Sequence, residues 1–120
     1  MFDAVIGDSL SVPGEGSARR RAGGEWQDCG SEGFAVQALL EDELRGLKTW
    51  LMRVEPGASA ALHGHEEIEQ VYCLEGSFTD GEANYAPGDF VVRAPGAPHL
   101  TASEDGATML VVYVAERGTS

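Results

Sequence analysis

At 120 residues the chain has the length of one domain around one core, and its 42% apolar content is that of a globular protein. A formal net charge of −12 argues against binding to a phosphate backbone, which needs clustered positive charge. No run approaches the roughly 20 apolar residues of a membrane-spanning helix. The first residues, MFDAVIGDSL, also lack a leader's basic start and long apolar run, so a cytoplasmic location is expected.

Residues 1–32 read as a partly ordered arm rich in Gly, Ser, Arg and Ala. Val5, Ile6, Leu10 and Trp26 are its apolar anchors, with one short strand and Trp26 as the packing point. The run Arg19-Arg20-Arg21, between small residues, reads as a solvated loop. Cys29 and Cys73 are too few for a disulfide framework and read as free thiols.

Residues 33–120 carry the β signal. FAVQALLED and LKTWLMRVE have strand length, separated by the polar Glu41–Gly46 connection. A helix from Val36 to Leu51 is the alternative, since the apolar positions also fit a 3.6 period. Gly46 interrupts it, which favours strand, turn, strand. Pro56-Gly57 marks a turn. Strands follow at about 60–65 and 68–75, then a turn at Gly76–Gly81 and a short return at Glu82–Tyr85. After Pro87-Gly88-Asp89 come the strand Phe90–Arg93, the stiff loop Ala94–Pro98, a strand from His99 to Ser103 and a last one from Thr108 to Ala115. Turns about every ten residues predict an all-β sandwich or barrel.

One stretch carries the chemistry. His63 and His65 are two apart, which puts them on one face of an extended strand. Glu69 opens the next β run, and His99, the third of the chain's three histidines, follows the Pro/Gly loop. Three imidazoles and a carboxylate suit a divalent ion. An octahedral ion would keep two open positions for substrate and dioxygen, whereas a tetrahedral zinc would be closed.

The sequence here resembles a cupin. The first cupin motif runs Gly, five residues, His-x-His, three residues, Glu, six residues, Gly. Gly57, His63-Gly64-His65, Glu69 and Gly76 meet every spacing. The second runs Gly, five residues, Pro-x-Gly, two residues, His, three residues, Asn. Gly88, Gly96 and His99 meet it, with Ala94 where the family has proline and Ser103 where it has asparagine. Trp26, Leu39-Leu40-Glu41-Asp42, the stretch Trp50–Gly57 and Cys73–Gly76 resemble the small single-domain group. That group includes the ChrR-like zinc cupins of anti-sigma factors and the diketone- and hydroxyacetophenone-cleaving dioxygenases.

The resemblance implies an all-β cupin jelly-roll β-barrel, a double-stranded β-helix, as a single domain. It implies one divalent ion (Fe, Mn, Ni or Zn) on His63, His65, Glu69 and His99. Glu69 is also the candidate catalytic group. By strand alternation Met52, Cys73, Phe78, Phe90 and Tyr113 are the expected pocket walls. Met109–Val114 is apolar on both faces and asks for cover, so a homodimer is expected, with a small molecule as the other partner. The expected function is a metal-dependent oxidoreductase, dioxygenase-like, on a small carbonyl or phenolic substrate. A metal or ligand sensor and an isomerase or sugar-binding cupin are the alternatives.

Overall fold

Alternation of apolar and polar residues every second position drives the chain into strands that bury one face. The computed structural model describes residues 4–6 and 9–116, without the side chains of residues 4–6, 62 and 63. There are twelve strands among them: β1 (Ala4–Ile6), β2 (Arg19–Arg21), β3 (Gln27–Asp28), β4 (Phe34–Asp42), β5 (Leu47–Val54), β6 (Ser59–His63), β7 (Ile68–Gly76), β8 (Phe78–Thr79), β9 (Asn84–Tyr85), β10 (Phe90–Arg93), β11 (His99–Ala102) and β12 (Ala107–Val114). No helix occurs among the described residues, so strand, turn, strand holds over residues 34–54.

Two antiparallel sheets form the jelly roll. The larger has the order β10-β7-β12-β5-β4-β3, and the smaller β6-β11-β8-β9. β1 and β2 pair in parallel as a separate two-stranded sheet. The arm thus carries three short strands where one was expected. β3 adds to the large sheet through Gln27 opposite Val36. Trp26 stacks under the Arg53 guanidinium at 4.3 Å, and Leu10 bridges to Leu40. Arg19–Arg21 is a strand, not a loop.

Register turns this sheet into rungs. Arg93 lies opposite Glu69, Glu69 opposite Tyr113, and Tyr113 opposite Lys48. One rung below run Val91, Val71, Val111 and Trp50. Met109 lies opposite both Cys73 and Met52 on the next rung. A polar layer therefore caps a dry one. The core gathers Phe34, Val54, Val71, Cys73, Phe78, Met109 and Val111, all buried. Burying each large apolar side chain contributes about 1.5–3 kcal/mol. β12 alternates buried and half-buried residues along its whole length. Its two neighbours flank it, but Leu110 and Val112 keep one face towards the outside.

Candidate metal centre

Glu69 is the centre of the polar layer, and its place follows from the strand period. Glu69, Val71 and Cys73 are buried while Tyr72 and Leu74 are exposed, so the odd-numbered residues of β7 face inward. His99 opens β11 and is buried as well. His65 stands just past the end of β6, in the connection to β7. Its loop is clamped to the 94–98 loop, with the Gly96 amide donating to the His65 carbonyl at 2.5 Å. Gly64 permits that approach, since a Cβ there would come within 2.8 Å of the Gly96 carbonyl oxygen.

Donor atoms of His65, Glu69 and His99 all lie within 4.8 Å of one another. His99 Nε2 is 3.3 Å from Glu69 Oε1, and His65 Nε2 is 3.5 Å from Glu69 Oε2. Ligands about 2.1 Å from one ion stand roughly 3.0–3.4 Å apart in octahedral or tetrahedral arrangements, and the two His–Glu69 distances lie close to that range, so these residues could hold an ion. The set is two imidazoles and a carboxylate, borderline-hard donors suited to Fe, Mn, Ni or Zn. The backbone of His63 pairs opposite His99, but its side chain lies outside the described residues.

The predicted walls divide. Tyr113 lines the centre: its ring meets His65 edge-on at 5.2 Å and Trp50 at 5.6 Å. Burial, then the neighbouring Glu69 carboxylate, pushes the Tyr113 phenol far above its ordinary value, so it stays protonated. Met52, Cys73 and Phe78 sit in or against the core below. Cys73 is fully buried two rungs down, roughly 13 Å along the strand from Glu69. It is therefore a core residue and no neighbour of the ion, and burial with the nearby Asp89 raises its thiol. Phe90 corrects the expectation outright. It is 54% exposed opposite Tyr72 on the outer face, because Val91 and Arg93 take the inward positions of β10.

Arg93 is the residue the sequence reading missed. Its Nε donates to Glu69 Oε1 at 3.0 Å and its Nη1 to Asp80 Oδ2 at 2.8 Å. Asp80 is held in turn by the Glu82 and Ala83 amides, both at 2.9 Å, and by the Tyr85 hydroxyl at 2.5 Å. Burial works against the Asp80 charge. The bonds from Tyr85, Ala83, Glu82 and Arg93 outweigh it and hold the carboxyl well below the usual carboxylate range. Its inward face follows from the pairing of β10 with β7, which sets Arg93 opposite Glu69.

Two recesses flank the centre. One of about 330 Å³ includes His99, Arg93, Asp80 and Tyr85. A larger one of about 600 Å³ is lined by Lys48, Trp50, Glu67 and the acidic β4 end, and it does not reach the donor atoms. Lys48 lies over the Trp50 and Tyr113 rings at 4.4 and 4.5 Å and pairs with Glu67 at 3.6 Å.

Residues 19–116 match the family model described as the ChrR cupin-like domain. No curated protein matches the chain in sequence. An RmlC-like cupin from Shewanella frigidimarina shares 24% identity with a TM-score of 0.68, over 78% of this chain and 85% of that one. The anti-sigma ChrR of Rhodobacter sphaeroides, solved in complex with SigE, shares 22% with a TM-score of 0.67, over 78% of this chain and 51% of that one. An acetylacetone dioxygenase from Acinetobacter johnsonii shares 17% with a TM-score of 0.63, over 68% of this chain and 60% of that one.

Proposed function

The chain belongs to the family of ChrR cupin-like domains, and from that premise we propose a metal-dependent oxidoreductase, dioxygenase-like, acting on a small carbonyl or phenolic compound. The observation that carries this is the convergence of His65, Glu69 and His99 donor atoms above a dry apolar rung. In this reading His63, His65, Glu69 and His99 hold one divalent ion, and Glu69 is also the candidate catalytic group. A divalent ion held there would supply Lewis-acid and redox chemistry toward a small oxygen-bearing substrate and dioxygen. Tyr113, kept neutral, directs its hydroxyl to the Glu69 carboxylate at the same level. Val71, Val111 and Trp50 keep water out from below. Both atoms of dioxygen enter the product, so no external reductant is needed.

The test is elemental analysis of the purified protein, then dioxygen uptake with a panel of small diketones and phenols. Substrate-dependent uptake lost in His99→Ala is the expected result. No uptake with protein reconstituted with Fe, Mn or Ni sinks the reading. The second reading, a metal sensor, draws on the ChrR neighbour, which binds SigE. A closed four-coordinate zinc centre would favour it. A cytoplasmic setting, in which exposed Cys29 and buried Cys73 stay free thiols, and a homodimer over the exposed Tyr72, Leu74, Phe90 and Val92 complete the proposal.

A further inference from the structure

We infer that Arg93 is a positioning residue that sets the affinity of the centre, by competing with the ion for the Oε1 oxygen of Glu69. The inference rests on the metal-binding reading above. Glu69 Oε1 is shared between Arg93 and His99, while Oε2 faces His65. Arg93 cannot follow if Glu69 swings, because Asp80 holds its other end, and two backbone amides with Tyr85 fix Asp80. The guanidinium is thus an anchored positive charge behind the ligand.

Charge then decides the sign. Glu69 and Asp80 carry −1 each and Arg93 +1, so the group presents −1 to an arriving ion. Nearby Lys48 and Glu67 cancel each other. Without Arg93 the group presents −2, and without the Asp80 charge it presents 0. Removing the cation strengthens the pull on a divalent ion and releases Glu69 Oε1 from the guanidinium. Removing the anion weakens the pull and leaves Glu69 tied to Arg93. A strut with no electrostatic role predicts that both changes loosen the cluster and weaken binding.

The experiment measures Co²⁺ affinity of metal-free protein at pH 7.5, by competition with a chromophoric chelator. Wild type is compared with Arg93→Met, Arg93→Lys and Asp80→Asn, and the visible Co²⁺ band is recorded. Arg93→Met should tighten binding about tenfold and alter the band. Asp80→Asn should weaken it about tenfold, and Arg93→Lys, which keeps the charge, should stay within about threefold of wild type. Weakening in both Arg93→Met and Asp80→Asn, or no change in either, overturns the inference alone. Should Arg93→Met fail to fold, Asp80→Asn decides, since it is isosteric and keeps the Glu69–Arg93 pair; unchanged affinity there also overturns it. Wild type that binds no Co²⁺ removes the metal reading and this inference together.

Discussion

Substituting Gly64 by Ala tests whether the close approach of two loops builds the metal centre. The new Cβ would lie 2.8 Å from the Gly96 carbonyl oxygen, 3.1 Å from its carbon and 3.3 Å from the Ala97 oxygen. All three are backbone atoms, so no side chain can swing away. An ordinary contact begins at 3.4 Å, so the loops must part by 3.4 − 2.8, about 0.6 Å. The Gly96–His65 hydrogen bond crosses that gap and would lengthen by a similar amount. Overpacking of this kind costs about 1–3 kcal/mol. For a chain of this size that lowers the melting temperature by roughly 4–12 °C. His65 moves with the loop, while Glu69 stays on its strand. Metal affinity should therefore drop about 10–100-fold, the usual cost of misplaced ligand support. Gly57→Ala is the control. Gly57 has φ of +84° with nothing within 4 Å of a built Cβ, so Ala there suffers backbone strain of about 1–2 kcal/mol and touches no ligand. Calorimetry gives the stability change and chelator competition the affinity. Gly64→Ala with wild-type affinity, or Gly57→Ala with an equal loss, would refute the reasoning.

Three further outcomes are expected. Chelation should leave a cooperative thermal transition, because the core is built from Val, Phe and Met side chains below the donors; a chelated protein unfolded at room temperature would show the ion to be structural. Met109→Ala removes one of the largest fully buried side chains and should cost about 2–5 kcal/mol in urea unfolding, with metal affinity unchanged; an affinity loss would join core and centre. Tyr113 has its phenol pKa raised by burial and by Glu69, so its contribution to stability is complete below the unfolded value near 10 and is lost as pH rises beyond it. Absorbance at 295 nm should show Tyr113 protonated at about pH 11 until the chain unfolds, and ionisation of all three tyrosines in folded protein would count against its burial beside Glu69.

Much of this was legible in the sequence, and the parts that were not have physical reasons. His65, Glu69 and His99 could be grouped because histidine is scarce in the chain and the Gly-bounded spacing is fixed. The long strands β4, β5, β7 and β12 were legible from length and apolar content. Phe90 was misplaced because every position of Phe90–Val92 is apolar, so size alone gives no choice of face. Only pairing with β7 settles it, and that places Arg93 beside Glu69. The buried Asp80–Tyr85 support for Arg93 joins residues from three strands' ends and has no local signature. β2 and β3 were missed because two or three polar residues hold strand form only through their partners.

The layering of the large sheet has a consequence for how such a chain can vary over generations. Arg93, Glu69, Tyr113 and Lys48 share one rung, and Val91, Val71, Val111 and Trp50 share the rung below. Neighbouring inward positions are about 6.6 Å apart along each strand. If the upper set holds the proposed ion, its side chains could therefore change with the lower, dry set left intact.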